Sequence, residues 1–202
     1  MAVKDDFDLG PKYEGYNSGD WVRWDDLRFP AQAINPPGAV SDPDIESTTG
    51  LPLFDDSSTE VLVGVAQLPH AWLEESTIRP HIHWQKTSAT SPTGNVLWRF
   101  EYELVNNGAV AAMDYGTSVD STEVVSGTPD DGAANRVLIT TFGNISMRGM
   151  RISCFVLWKL SRIGGDALDT QSGDARLLEL DFHYIKDGRG SQQEFTKTDW
   201  GK

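Results

Sequence analysis

The stretch Ile78-Arg79-Pro80-His81-Ile82-His83-Trp84 alternates apolar and polar side chains. A period of two is typical of a β-strand with one buried face and one more polar face. Two later stretches alternate in the same way, Val96-Leu97-Trp98-Arg99-Phe100-Glu101-Tyr102-Glu103-Leu104 and Leu178-Glu179-Leu180-Asp181-Phe182-His183-Tyr184. Three of the four histidines, His81, His83 and His183, lie on the polar faces. We therefore predict a sheet that buries one side and carries histidines on the other.

Further strand candidates follow at regular spacing, and clusters of Gly, Pro, Asn and Asp separate them. No segment shows sustained helical periodicity with capping residues. Strands without crossover helices predict an all-β fold, namely an antiparallel β-sandwich or jelly roll. The predicted strands are Val61–Gln67, Thr77–Gln85, Val96–Val105, Thr122–Val125, Arg136–Phe142, Met150–Leu160 and Leu177–Lys186.

Residues 1–58 differ from the remainder of the chain. They hold six of the ten prolines and none of the long alternating runs. They also hold an aromatic cluster, Trp21, Trp24 and Phe29, which a disordered tail would not require. We predict an extended N-terminal arm over residues 1–58 and a β-sandwich domain over residues 59–202. The arm is predicted to lie on its own domain or on a neighbouring subunit, with the three aromatic residues as anchors at that interface. Deletion of the arm is predicted to spare the fold and to abolish incorporation into particles.

Composition limits the possible functions of this chain. It has 202 residues, 39% of them hydrophobic, a net charge of −13 and a pI of about 4.6. This negative charge argues against nucleic acid as a partner. No window reaches the ~18 consecutive apolar residues of a membrane span, and the N-terminus lacks the apolar core of a signal peptide. We expect no membrane partner and synthesis in a cytoplasm, with Cys154, the sole cysteine, as a buried and inert thiol.

The histidines allow two interpretations. His81 and His83 lie about 7 Å apart at Cα and could chelate one metal ion, as the His-x-His motif of cupins does. His183 is the candidate for a distant third ligand. The alternative is a hydrogen-bonded polar layer that also contains Arg99, Glu101 and Glu103. A cupin-like site would normally add a glutamate a few residues on, and none occurs before Glu101. We therefore predict a structural layer with no metal and no cofactor.

Catalytic motifs are lacking in this sequence. It contains no phosphate-binding glycine loop, no HExxH, no paired CxxC and no nucleophile elbow, so we expect no enzymatic activity and no catalytic residue. Four aspartates in glycine-rich loops could bind calcium, but solvated turn carboxylates are the better interpretation. They are Asp166, Asp169, Asp174 and Asp187. Tryptophans that stack on sugar rings would support carbohydrate binding, and the candidates are Trp21, Trp24, Trp72 and Trp200.

Three parts of the chain together resemble a group of virion proteins of tailed bacteriophages and prophages. The first runs from Leu68-Pro69-His70 to Ile78-Arg79-Pro80-His81-Ile82-His83-Trp84, and the second is Gly94-Asn95-Val96-Leu97-Trp98-Arg99-Phe100-Glu101-Tyr102. The third is Leu180-Asp181-Phe182-His183-Tyr184, with Asp187-Gly188-Arg189-Gly190-Ser191 and Glu194-Phe195-Thr196-Lys197 after it. The resemblance covers about residues 60–197, and no catalytic residue carries over from it.

The resemblance implies a structural component of the virion, made in the host bacterial cytoplasm. We expect a capsid decoration (cement) protein or another head-attached protein that acts by self-association and by docking on the capsid. The expected partners are other copies of the chain, with a homotrimer as first choice, and the major capsid protein or a neck or tail protein. One alternative is a tail fibre, adaptor or carbohydrate (receptor)-binding module. A cupin-like metal-binding protein is the third possibility.

Overall fold

The structure is a computed structural model that describes residues 23–34, 36–38, 41–87, 94–109, 120–126, 135–187, 190–191, 193–194 and 196–197. Regular structure in these ranges consists of ten strands and one 3-10 turn, Ala31–Ala33. The strands are β1 Arg23–Pro30, β2 Asp44–Ile45, β3 Pro52–Phe54, β4 Thr59–Gln67, β5 Ile78–Lys86, β6 Val96–Val105, β7 Asp120–Ser126, β8 Val137–Thr141, β9 Phe155–Ile163 and β10 Ala175–Lys186. No helix in the described ranges has the length and apolar character needed to cross a lipid bilayer.

The strands form two antiparallel sheets. Sheet A has the order β2-β3-β10-β5-β8, and β1 also pairs with β10. Sheet B has the order β4-β9-β6-β7. The twelve-residue strand β10 is therefore the centre of sheet A, with β5 along one edge and both β1 and β3 along the other. The described residues form strands in two antiparallel sheets and no α-helix. The all-β prediction is therefore confirmed.

The inner faces of the two sheets form one aromatic core. Trp84 of sheet A meets Trp98 of sheet B with ring centroids 5.6 Å apart, and Phe182 of sheet A meets Phe100 of sheet B at 6.0 Å. These rings belong to a single buried apolar cluster. Large aromatic side chains remove the most surface from water, so this layer supplies much of the driving force that joins the sheets. The two-sheet sandwich predicted from the sequence is confirmed.

Gly64 shows how closely sheet B is packed. It lies opposite Trp158 in the β4–β9 pair, and the indole covers the position where a side chain would begin. A Cβ atom at Gly64 would lie 2.3 Å from Cζ2 of Trp158, well inside van der Waals contact. Because Trp158 is itself buried, it has no free space into which to move. Glycine at this position is a packing requirement of the core.

The described part of the predicted arm contributes strands to sheet A. Strand β1 pairs with β10 over eight residues, from Arg23 opposite Lys186 to Pro30 opposite Glu179. Phe54 in β3 is fully buried in the core. Three strands of the sheet thus precede residue 58, where the sequence placed the end of the arm. Deletion of residues 1–58 would uncover an edge of β10, so the expectation that it spares the fold does not agree with this pairing. Residues 1–22 lie outside the described ranges.

The alternating runs located the later strands well, and β4 to β10 each overlap one predicted strand. The largest displacement is at β9, predicted from Met150 but beginning at Phe155. Residues 150–154 form turns instead, with Ser153 at φ +60°. Cys154 in this segment is buried, as predicted. Burial raises the pKa of its thiol to about 12, so the thiol is protonated and inert at neutral pH.

Candidate binding face on the outer surface of sheet A

The three histidines of the alternating runs lie on the outer surface of sheet A. In β5 and β10 the apolar side chains point inward, so the polar positions point away from the core. The strand register sets His81 opposite Asp181 and His83 opposite Glu179. Strand β1 brings two more charged side chains to this surface. We call the set the histidine face: Asp26, Arg28, His81, His83, Glu179, Asp181 and His183.

Asp181 is the centre of the histidine face. Its Oδ2 atom lies 3.4 Å from Nε2 of His81 and 3.3 Å from Nε2 of His83. Asp181 is 3% exposed and His81 is 5% exposed. Potential ligand atoms of these three residues all lie within 4.8 Å of one another. Two further atoms, Oδ1 of Asp181 and Nδ1 of His81, are buried without a hydrogen-bond partner in the described part of the chain.

His183 has a different role from the other two histidines. Its Nε2 atom lies 2.9 Å from Oδ1 of Asp26, while its ring centroid is 4.3 Å from that of His81. Burial lowers the pKa of His183, and the nearby His81 lowers it further by charge repulsion. The sequence named His183 as the candidate third ligand beside His81 and His83. The structure instead places Asp181 beside those two histidines and pairs His183 with a carboxylate from β1.

Arg28 and Glu179 close one side of the histidine face. Nε and Nη2 of Arg28 donate to the two carboxylate oxygens of Glu179, at 2.7 Å and 2.6 Å. Side-chain hydrogen bonding to Glu179 raises the pKa of Arg28 above its usual value, although the arginine is largely solvent-exposed. The pair fixes Glu179 beside His83 and keeps this carboxylate out of the Asp181 cluster.

The polar layer predicted from the sequence also included Arg99, Glu101 and Glu103, and this part of the prediction is wrong. All three lie on β6, which pairs with β7 and β9 in sheet B. Glu101 there bonds Lys159 of β9 at 2.7 Å. The alternation of β6 correctly showed which positions are polar. It contained no information about which sheet the strand would join, because that depends on pairing with distant strands.

Apolar side chains flank the histidine face on both sides. Val137 and Ile139 of β8 are 52% and 59% exposed, and Ile139 lies opposite His83 in the register. Across the sheet, Trp24 of β1 is 39% exposed, and its ring centroid lies 5.8 Å from that of His183. The outer surface of sheet A thus combines a charged centre with exposed apolar edges.

The aromatic residues predicted at an interface have different positions in the structure. Phe29 packs inward, with its ring centroid 6.0 Å from that of Phe182 and 6.2 Å from that of Trp158. It therefore packs against the core of its own domain. Trp24 is the exposed member of the set, and Trp21 lies outside the described residues. Trp72, a candidate for sugar stacking, is fully buried in the core. Trp200 also lies outside the described residues.

The fourth histidine, His70, contacts a serine, but the pair does not have the arrangement of a nucleophile and its base. Nε2 of His70 lies 3.1 Å from Oγ of Ser153. The hydroxyl of Ser153 donates its one proton to the backbone carbonyl of Glu194 at 2.9 Å. Ser153 is also buried. His70 therefore serves as a donor to the serine oxygen and helps to hold the segment after β10 against the turn before β9.

The burial of Arg162 was not predicted from the sequence, and its partner was misassigned. Arg162 of β9 is fully buried and forms a bidentate pair with Asp169 at 2.9 Å and 2.8 Å. Asp169 was interpreted as a solvated turn carboxylate, and that interpretation is wrong because its side chain is fully enclosed. A signal was present in the sequence. Arg162 continues the period-two series of inward residues Trp158 and Leu160.

The sequence matches no protein-family model and no curated protein. Its structure is similar to a family 35 carbohydrate-binding module from an environmental isolate, with a TM-score of 0.42 and 11% identity over 85% of this chain and 96% of that chain. It is also similar to TmCBM61 in complex with β-1,4-galactotriose, with a TM-score of 0.33 and 15% identity over 87% of this chain and 93% of that chain. A third similar structure is dimeric latent PorU from Porphyromonas gingivalis, with a TM-score of 0.37 and 8% identity over 83% of this chain and 13% of that chain. Likeness at this level does not indicate a shared ligand.

Proposed function

We propose that this protein is a structural component of a tailed-phage virion, of the capsid decoration or head-attached type. In this proposal it acts by self-association and docking, without catalysing a reaction. The sequence resemblance to phage virion proteins suggests the setting. The structural observation that supports the proposal is the outer surface of sheet A, where exposed apolar residues flank a charged centre.

The composition of this surface suits a protein interface. Interfaces combine apolar and aromatic contact residues with charged groups that fix the register between partners. Ile139 and Val137 supply the apolar contact, and Trp24 adds an amphipathic ring on the other side of the sheet. Strand β8 pairs only with β5 in the described part of the chain, so its other edge can receive a strand from a second copy. We propose a homo-oligomer, with a trimer as first choice, built through this surface.

The test is the oligomeric state of the full chain with one exposed apolar residue changed. Ile139→Lys should leave the fold intact, because the side chain is exposed, and should convert the oligomer to monomer in native mass spectrometry. Val65→Lys is the matched control, since Val65 is 48% exposed on β4 of sheet B. A monomeric wild-type protein that is also absent from purified particles would refute the proposal. Dissociation by Val65→Lys alone would move the interface to sheet B.

A second candidate function is carbohydrate binding, and Trp24 is the observation that favours it. Its exposed ring lies beside His183, with Asp26 and Arg28 next on the same face of β1. Sugar rings stack on exposed indoles, while charged planar side chains bond their hydroxyl groups. The two carbohydrate-binding modules named above share the sandwich architecture, but this proposal rests on Trp24 alone.

A glycan array separates the two functions. Trp24→Ala should abolish binding to a glycan if the face recognises sugar. Ile139→Lys should leave that binding unchanged, because β10 and β5 separate the strand of Ile139 from that of Trp24. If no glycan binds the wild-type protein, carbohydrate recognition is excluded for the sugars on the array. In that case Trp24 is left as a candidate contact for a protein partner.

A further inference from the structure

We propose that His81, His83 and Asp181 form a binding site for one divalent transition-metal ion, with Zn²⁺ as the best match. The inference goes beyond the assembly role and does not depend on it. It also departs from the expectation drawn from the sequence, which considered His183 as third ligand and predicted no metal. The geometry around Asp181 is the reason for the change.

The distances within the cluster fit an ion better than they fit hydrogen bonds. Nε2 of His81 and Nε2 of His83 lie 3.4 Å and 3.3 Å from Oδ2 of Asp181. N–H···O bonds to a carboxylate are shorter, at about 2.7–2.9 Å. A tetrahedral ion at about 2.0–2.1 Å from each ligand atom separates those atoms by about 3.3–3.4 Å. The two separations seen here match two edges of such a site, and the possible ligand atoms of all three residues lie within 4.8 Å of one another.

The burial of the cluster gives an independent reason to expect a cation. Asp181 is 3% exposed, and its Oδ1 atom has no hydrogen-bond partner among the described residues. A buried carboxylate that lacks donors is costly, since it has lost its hydration without replacement. A divalent ion bonded to Asp181 and the two imidazoles would compensate the carboxylate charge directly.

The set of donors selects the class of metal. Two imidazole nitrogens and one carboxylate oxygen suit zinc and neighbouring transition metals, whereas calcium and magnesium prefer sites made entirely of oxygen. Three protein ligands leave the fourth tetrahedral position open. His83, whose side chain is 29% exposed, is the outermost of the three, so water can approach the site from its side.

Neighbouring residues keep the other polar groups out of the site. Asp26 holds His183 through a 2.9 Å contact. Arg28 holds Glu179 through hydrogen bonds from its Nε and Nη2 atoms. These pairs leave His81, His83 and Asp181 as the free ligand set on this face. Removal of Asp181 should therefore abolish metal binding, whereas removal of His183 should not.

The test uses the full chain, purified without a histidine tag and dialysed against a chelator, and titrated with ZnCl₂ by calorimetry. We expect one ion per chain and a thermal unfolding midpoint that rises with added zinc. Asp181→Asn and His81→Gln should each weaken binding by at least about 100-fold, more than the loss of a supporting residue costs. His70→Gln is the control, since His70 lies outside the cluster on Ser153.

Cobalt(II) provides a second readout that does not depend on stability. Bound tetrahedrally, it should give intense visible absorption in the wild-type protein and in His70→Gln, but not in Asp181→Asn. Circular dichroism of each variant separates loss of binding from loss of fold. The proposal is overturned if zinc fails to bind, or if binding is equal in Asp181→Asn and the control. Loss of binding in His183→Gln with retention in Asp181→Asn would also overturn the assigned ligand set.

Discussion

Arg162 and Asp181 are both buried charged residues, the first inside the sandwich and the second on the outer surface of sheet A, and they differ in how fully their polar atoms are bonded. The five N–H groups of Arg162 make five hydrogen bonds, to Asp169 and to the backbone carbonyls of Phe54, Gln171 and Gly173. Among the described residues, one oxygen of Asp181 has no hydrogen-bond partner, and the two nearest imidazole nitrogens lie beyond ordinary hydrogen-bond distance from its other oxygen.

The difference separates a structural role from a binding role. A buried charge with every donor bonded has nothing left to offer a ligand and serves to fix the loops around it. Arg162 joins β3, β9 and the loop before β10 in this way. A buried charge with unused bonding capacity is energetically costly by itself, and a bound ligand can compensate it. The Asp181 cluster therefore has the character of a site, and the Arg162 network has that of a support.

The largest loss of stability is expected when the hydrogen-bond network of Arg162 is disrupted. Arg162→Met leaves the carboxylate of Asp169 buried without its counter-charge and removes a donor from each of three backbone carbonyl groups. Loss of one partner of a buried pair typically costs about 3–5 kcal/mol of the free energy of unfolding. Urea unfolding followed by tryptophan fluorescence measures this loss. Arg28→Met is the control, because Arg28 is exposed, and its midpoint should shift far less. Equal shifts would show that the five bonds of Arg162 contribute nothing special.

Substitution by asparagine should have unequal effects at Asp169 and Asp181. Asp169→Asn should cost about 3 kcal/mol, because it leaves the Arg162 guanidinium buried and uncompensated. In the presence of a chelator, Asp181→Asn should change the free energy of unfolding by less than about 1 kcal/mol, because the described residues give Asp181 no short hydrogen bond to lose and the amide carries no charge. Paired urea titrations of both variants provide the measurement. A large loss for Asp181→Asn without metal would mean that the cluster is already satisfied as it stands.

The smallest effect is expected at Asp174, on the loop that Arg162 holds. Burial, and then the charge of Asp55, raise the pKa of Asp174. A carboxyl group with a raised pKa in the folded state opposes folding once ionised, and this cost disappears below its unfolded-state pKa of about 3.9. Asp174→Asn should therefore stabilise the protein by less than about 0.5 kcal/mol at about pH 7, after solvent screening. The gain should shrink as the pH falls toward about 4. A gain independent of pH would show that charge is not its cause.

Local sequence pattern predicted much of this fold because strand alternation is a local property. The runs around His81, Trp98 and Asp181 each showed which side of the strand is buried, and the structure has those sides. Strands β1 to β3 were not predicted, since β2 and β3 are two and three residues long and prolines interrupt the segment. Their existence depends on pairing with one another and with β10, which lies far away in the sequence.

The candidate site shows the same division between local and distant information. The sequence by itself determined that His81 and His83 share a polar face, and that Asp181 and His183 share another, because alternate residues of a strand always do. Only the tertiary structure decided that Asp181 would join His81 and His83, while Asp26 would pair with His183. That choice depends on the register between β10 and its neighbours β5 and β1. The register is set by core packing and by hydrogen bonds between strands far apart in the chain, which no local pattern encodes.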